Sequence, residues 1–560
     1  MNSPIRHRAR FVSGLALACA LAITAAACGS GSGGGKGATP SGSNTSAGTS
    51  PSPSGSGGGG GTGKKGGTGS PVTIGTTDKV VSFDPSGSYD LGSFTPMYSM
   101  YQTLVLFPPQ TTTPTPDAAQ KCEFTDPTHY VCTMRANQQF WNGDPVTAKD
   151  VVFSFQRNLK IAAPNGASSL LQPMKSVAAA GDKVTFTLKY PFAVFPFVLS
   201  DPSNAIVDSK VFAPTKLQAD DKIVGSGPYE MKSYKPGQQL VLVPNPHYGG
   251  NLKLSNSGVV VTYYSTESAL KLDLENGVAD VGYRTFSAST IAALRKDSGK
   301  GVQVVEGQGA EIQYIVFNTK TQAGSTPAQK LAVRQAVAMS INRQQIASSV
   351  YNNTVTPLYS MIPVGLAGHT DAFKTAYGAS PDPAKAKQAL RNAHVTTPVN
   401  LDLWWTPSHY GEPSADMYTT IKRQLEATGL FKVSLHSSEW ESYSKAYPTD
   451  QFPSFQLGWF PDYPDPDDYV APFYGTTTSF LNDHFSNSTI DKAILKERGS
   501  DNQTTRNTAF AQIQQIGAQQ APTIPIWQGK QIAVQRTGVT GVKSTLDASY
   551  TFRFWLIGKS

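Results

Sequence analysis

Between residues 71 and 560 the apolar positions switch repeatedly between two periods. Val399, Leu401 and Leu403 alternate with polar residues, which predicts a strand with one buried face. Met417, Ile421 and Leu425 step by four, which predicts a helix that Gly429 closes. Val433 and Leu435 then return to alternation. This strand–loop–helix–strand order predicts a parallel pair joined by a right-handed crossover. A short helix at 440–446 leads on to a further strand at 455–459. Upstream, Thr326-Pro327 followed by Gln329 reads as an N-cap, an N1 proline and a capping box, with Val333, Val337 and Ile341 along one helical face. Asp382-Pro383 opens another helix in the same way. The class is α/β, and no internal repeat is visible.

In open parallel sheets a ligand binds just outside the carboxyl ends of the strands. Two loops hold that position, Trp404–Pro413 and Phe460–Asp467. Both are rich in aromatic residues, and the second, within PDYPDPDDY, is acidic. Facing one cleft, they would supply stacking surfaces and negative charge. The competing expectation is that these carboxylates are solvated turn residues.

Length and charge narrow the classes. At 560 residues the chain exceeds one compact domain, and 39% hydrophobic residues is enough to build real cores. The net charge of +8 suggests a nucleic-acid surface only until it is mapped. Six of the 47 basic residues lie in residues 1–70, which contain no Asp or Glu, leaving 41 basic against 39 acidic side chains in the body. The body is nearly balanced, so no nucleic-acid partner is expected.

The excess belongs to an address. Arg6 to Arg10 form a positive segment, Phe11 to Ile23 an apolar run of 13 residues, and Ala25 to Ala27 precede Cys28. This is the anatomy of an export signal, too short for a membrane span. The cysteine after the small residues resembles a bacterial lipobox, with Ala25 where Leu is usual. From Gly29 to Ser70, 18 of 42 residues are Gly, a composition that behaves as a flexible coil reaching on the order of 35 Å. Gly58 through Lys64 comes close to a P-loop, but Lys65 replaces the hydroxyl residue and no strand precedes it. Cys122 and Cys132 flank Asp126-Pro127 between two strand-like runs, which predicts a hairpin with the thiols opposite each other, bonded or free.

Enzyme chemistry finds little support. The histidines are scattered without metal-ligand spacing, there is no nucleophile elbow, and no catalytic residue, metal or cofactor is expected. Paired carboxylates such as Asp465 and Asp467 suit a glycosidase, but their Pro spacing predicts a solvated loop instead.

Five ordered blocks carry a resemblance. They are Phe140-Trp141-Asn142-Gly143-Asp144-Pro145-Val146-Thr147-Ala148-Lys149-Asp150-Val151, Gly225-Ser226-Gly227-Pro228-Tyr229, Phe317-Asn318-Thr319, Val333-Arg334-Gln335-Ala336, and Gly458-Trp459-Phe460-Pro461-Asp462-Tyr463-Pro464-Asp465-Pro466. Together they resemble the extracellular solute-binding proteins of ABC importers, family 5, the oligopeptide- and dipeptide-binding proteins. The resemblance implies a two-lobed, hinged fold of the periplasmic-binding-protein type II kind, with an interlobe cleft and an extra subdomain. On that basis residues 1–28 are a lipoprotein signal and 29–70 a tether. Residues 71–308 with 530–560 form the first lobe, carrying a subdomain at about 95–200, and residues 309–529 form the second.

The resemblance also implies a monomer on the outer face of the cytoplasmic membrane, lipid-anchored at Cys28, that passes peptides to permease and ATPase subunits. Asp462 would pair with a peptide's ammonium, and Gly458 and Trp459 would offer backbone groups. Trp404, Trp405, His409 and Tyr410 are the further ligand candidates. Dipeptide-selective members place an Arg for the ligand's carboxylate in the loop that here reads WWTPSHYGEP. Its absence points to longer peptides held elsewhere, or to a non-peptide solute such as a cationic small molecule or an oligosaccharide.

Overall fold

A computed structural model describes residues 69–559. The export signal, Cys28 and nearly all of the glycine-rich tether lie outside the described residues. Among the described residues no helix is long and apolar enough to cross a membrane.

One mixed sheet of eleven strands organises the body. Its order is Phe431–Ser437, Val399–Trp405, Ser454–Trp459, Val302–Phe317, Thr523–Arg536, Val281–Tyr283, Val72–Thr76, Val259–Tyr263, Gln239–Pro244 and Tyr229–Lys235, with Val355–Pro357 also pairing to Thr523–Arg536. The predicted crossover is present: Val399–Trp405 runs parallel to Phe431–Ser437, with helix Pro413–Ala427 between them in sequence. That helix and Pro327–Ser340 bury Met417, Ile421, Leu425, Val333 and Val337 against Leu401, Leu403 and Val433. At the other end, Phe94 and Met97 of helix Leu91–Met100 pack with Ile74, Val261, Leu240 and the C-terminal Phe552 and Phe554.

Two long strands join these ends. Val302–Phe317 and Thr523–Arg536 pair antiparallel over 16 and 14 residues, on the order of 50 Å. Their register slips between Gln308 and Ile312, a bulge where the ladder bends between the two halves. Ile312 faces Trp459, so the acidic loop leaves the sheet beside this bend.

The helix starts agree with their sequence signals, with one shift. Thr326 caps its helix by accepting from the Gln329 N–H at 3.2 Å, and Asp382 accepts from the Lys385 N–H at 2.9 Å. The Gln329 side chain, however, accepts from the Ser325 N–H at 3.0 Å, one residue before the cap.

A second sheet of four strands, Ala119–Asp126, His129–Met134, Lys183–Leu188 and Met174–Ala180 in spatial order, has its own core. Helix Ala148–Ile161 lays Val151 and Phe155 on its Val184 and Phe186. Cys122 and Cys132 are direct cross-strand partners and form a disulfide. Replacing both with Ser is expected to lower the stability of this sheet by about 2.8 kcal/mol, the chain-entropy value for an 11-residue loop. Chemical denaturation alongside the unreduced parent measures the difference.

Candidate functional site

The site grows from the end of strand Ser454–Trp459. Phe460 to Pro464 leave the sheet as an irregular turn, and Asp465 then caps the short turn Pro466–Tyr469 through the Asp467 N–H at 2.9 Å. One carboxylate ties the loop to itself. Asp468 Oδ2 accepts from Trp459 Nε1 at 3.0 Å and from the Asp462 N–H at 2.9 Å. The backbone of Asp462 is thereby fixed from beneath.

Here the expectation of a solvated acidic loop fails. Asp465, Asp467 and Asp468 are all buried, with exposures of 1% or less. Arg506 of helix Gln503–Gln520 forks onto Asp465 at 2.8 and 2.7 Å and reaches Glu497 at 2.9 Å. Arg498, ending helix Ser488–Arg498, holds Asp467 at 2.7 and 3.0 Å. Two guanidiniums among four acids leave an excess of negative charge. Burial accordingly raises Asp468 and Glu497 well above the ordinary carboxylate range. Burial works the same way on Asp467, but Arg498 and neighbouring hydrogen bonds hold it below its ordinary value. None of these carboxylates is free for hydrolytic chemistry, so the Asp465–Asp467 pair is structural.

Asp462 is used differently. It lines a cavity of about 230 Å³ together with Asp90 and Asp201. The walls are rings, among them Tyr89, Tyr98, Phe107, Phe197, Phe460 and Tyr550. No Lys, Arg or His is among the described lining residues. Asp90 spends both oxygens on Ser93, as the cap of its helix. Asp201 commits only Oδ1, to Ser203. Asp462 Oδ1 accepts from the Tyr89 hydroxyl, and its Oδ2 has no hydrogen bond among the described residues. Two carboxylates therefore present unfilled lone pairs to one apolar space. Burial lifts Asp462 to about 6 against a smaller lowering by Tyr89. Burial also lifts Asp201 to about 7, with the charge of Asp462 adding to the shift.

A second cavity, of about 300 Å³, adjoins the first across Tyr550, which lines both. Tyr410 and Trp527 contribute rings to it, and Arg284, Glu311 and Lys530 contribute charge.

The other sequence candidates fall elsewhere. Trp404 stacks on His436 at 4.7 Å and on Phe452 at 4.1 Å, and Trp405 lies over Tyr418. His409 stacks on Trp440 at 3.6 Å. Trp459 packs on Phe480 and Phe473. Gly458 pairs with Gln313 in the sheet, where a Cβ would collide with the Gln313 amide and come within 2.8 Å of the Tyr410 ring. Only Asp462 and Tyr410 line the cavities. Tyr89, Asp201 and Arg284 were missed, because each meets the cleft through fold partners far away in sequence. The Asp201-Pro202 pair signals a turn cap and nothing more.

A mixed α/β frame carrying a ring-lined acidic cavity, with periplasmic binding proteins as its structural neighbours, defines the class as a periplasmic-binding-protein type II-like fold. The chain belongs to the family described as bacterial extracellular solute-binding proteins, family 5, whose middle region matches residues 113–480. It is 26% identical over 479 residues to the probable D,D-dipeptide-binding periplasmic protein of Escherichia coli, covering 82% of this chain and 88% of that one. It is 24% identical over 499 residues to the dipeptide-binding protein DppE of Bacillus subtilis, covering 84% and 88%. The unliganded open form of the periplasmic murein tripeptide binding protein MppA superposes with a TM-score of 0.75 at 21% identity, over 89% of this chain and 98% of that one.

The buried cluster behind Asp462 yields a direct expectation. Arg506→Met leaves Asp465 buried without its partner and should cost about 3–5 kcal/mol of stability. Arg506→Lys keeps the charge but loses the fork and should cost less. Urea unfolding of the two variants compares them.

Proposed function

We propose that this protein captures peptides with a free amino terminus by closure of its lobes and hands them to a membrane permease. The observation that carries this reading is the first cavity. Two carboxylates with unfilled lone pairs face a space walled by rings and lacking any cation among the described residues that line it. A primary ammonium supplies up to three N–H donors for them, and charge-assisted bonds of this kind contribute roughly 1.5–3 kcal/mol each. The peptide-binding names of the relatives point the same way.

The lobes of this reading are residues 71–308 with 530–560, carrying the disulfide-bearing sheet, and residues 309–529. The bulge at Gln308/Ile312 and its partner segment Gln528–Lys530 support that boundary. Tyr89 comes from the first lobe and Asp462 from the second, so ligand held between them contacts both. A ligand shifts a hinge only by such differential contact. An ABC permease and ATPase are the onward partners, and a lipid at Cys28 with its tether keeps the receptor close to them.

Two outcomes test the reading. Peptides with a free amino terminus should bind at least tenfold more tightly than their N-acetylated forms, and Asp462→Asn should remove most of that difference in titration calorimetry. Binding should also depend on pH in one direction. The ionised carboxylates are the binding form, and Asp462 holds its proton below about 6 and Asp201 below about 7. Ligand uptake at low pH must expel protons. Affinity should therefore stay level above pH 8, fall towards tenfold per unit between 7 and 6, and fall towards a hundredfold per unit below 6, where two protons are expelled. An affinity that rises on acidification sinks the ammonium role.

A further inference from the structure

Helix Ser488–Arg498 ends, like any helix, with carbonyls that find no partner further along it. Those of Leu495 and Glu497 accept from the Gly499 and Ser500 N–H groups at 3.0 and 3.4 Å. The Arg498 carbonyl takes its donor from outside the helix, the Ala193 N–H at 2.7 Å. Ala193 belongs to the segment that leaves strand Lys183–Leu188 of the four-stranded sheet. Beside it, Phe192 is buried in the core of that sheet, and the Arg498 guanidinium carbon stands 5.4 Å from its ring centroid. A cation over a ring face is attracted to it. Arg498 thus docks the sheet twice, by its carbonyl and by its guanidinium.

The same side chain reaches towards the first cavity. Its Nε and Nη2 donate to the two oxygens of Asp467, and Asp467 Oδ2 also accepts from the Tyr463 hydroxyl at 3.2 Å. Tyr463 lines the first cavity, one residue beyond Asp462, and packs against the core of the four-stranded sheet. Two routes therefore lead from the sheet to the cavity wall, one through Arg498 and one through Tyr463, and they meet on one carboxylate. The docking contact is not sealed. The hairpin tip at 124–127 and the turn at 499–501 enclose a cavity of about 220 Å³ beside it. A contact built from one backbone hydrogen bond and one ring face, next to such a void, can part without unfolding either side.

We propose that docking of the four-stranded sheet on Arg498 and filling of the first cavity strengthen each other, so that this sheet governs how firmly a ligand is retained. This rests on the reading of the first cavity as the ligand site. A ligand that orders Tyr463 from the cavity side favours its hydroxyl on Asp467 and its ring on the sheet, and docking orders the same ring from the other side. Linkage makes the two effects equal. The factor by which docking raises affinity is the factor by which ligand stabilises docking.

Amide hydrogen exchange of the full chain, with and without a library of di- to pentapeptides free at both ends, tests it. Native mass spectrometry of the same samples measures the peptide retained. The library should slow exchange at Ala193 by at least about fivefold, the low end of ordinary couplings. Strand Lys183–Leu188 should not respond, because it is paired on both sides within its own sheet. Phe192→Leu loses the ring face and alters no residue lining the first cavity. It should exchange faster at Ala193 without ligand and retain about fivefold less peptide. Exchange at Ala193 that ignores retained peptide overturns the proposal, a result that needs no variant to fold. A Phe192→Leu protein that exchanges faster at Ala193 yet retains as much peptide as the parent overturns it too. If a library acetylated at the amino end is retained as well as the free one and slows Ala193 equally, the ammonium reading fails while the coupling stands. Retention of no library overturns both.

Discussion

The bonds that fix the cleft are made out of reach of any ligand. Arg506 on Asp465 and Arg498 on Asp467 pin the acidic loop to two successive helices, and Asp468 gathers the Trp459 indole and the Asp462 N–H onto one oxygen. A turn rich in Pro and Asp would otherwise sample many conformations, and its carboxylates would spread into water. Burying four acids with two guanidiniums is costly and is tolerable only because the hydrogen bonding is nearly complete. Burial and the neighbouring acids push Asp468 and Glu497 upward, against their charged forms. What results is an Asp462 whose backbone is held while its carboxylate stays available. Geometry of that kind lowers the ordering cost of binding.

The second constraint is mechanical. The two long strands run through both halves of the sheet, so a hinge here must flex a continuous ladder without breaking it. The bulge at Gln308 to Ile312 is the place where that ladder is already irregular. It is also where Tyr550 comes in: the hydroxyl accepts from the Ala310 and Glu311 N–H groups at 3.0 and 2.9 Å, which satisfies donors that the slipped register leaves without strand partners. The same ring separates the two cavities. The irregular stretch of the ladder and the walls of both cavities are thus adjacent in the fold.

How much of this was legible follows from the distance between partners. The 3.6-residue stepping of Met417, Ile421 and Leu425 and the caps at Thr326 and Asp382 are local, so the sequence reveals them. So is the Cys122–Cys132 hairpin, in which the two residues are ten positions apart. The place of Asp462 on a cavity wall was legible from its position just beyond a strand end. The acidic loop misled because its burial comes from Arg498 and Arg506, which lie 31 and 41 residues further on and look like ordinary helix-surface cations. Trp404 and Trp405 misled for another reason: their strand packs on both faces, so alternation does not choose between cleft and core. Tyr89 meets Asp462 across 373 residues and Arg284 meets Asp78 across 206, and no local pattern encodes such pairings.

The charge of the molecule changes meaning once these pairings are known. An overall +8 suggested a surface for polyanions, yet most of it lies in the N-terminal segment, and in the body the charges that matter are organised by pairing rather than by number. Most acids near the cleft are paired with arginine or spent on a helix cap, while Asp462 and Asp201 each keep an oxygen without a hydrogen bond among the described residues, in one ring-lined cavity. In a low-dielectric cleft such groups are worth far more than the same charges in water. They are also costly when unmatched. On the proposed reading, a solute lacking an ammonium leaves desolvated carboxylates without a partner, and rejection by that penalty is steeper than the loss of an apolar contact. Rings of this kind tolerate varied side chains because dispersion is indifferent to detail, whereas a charged contact is not. On the proposed reading, the site is permissive about side chains and strict about the ammonium.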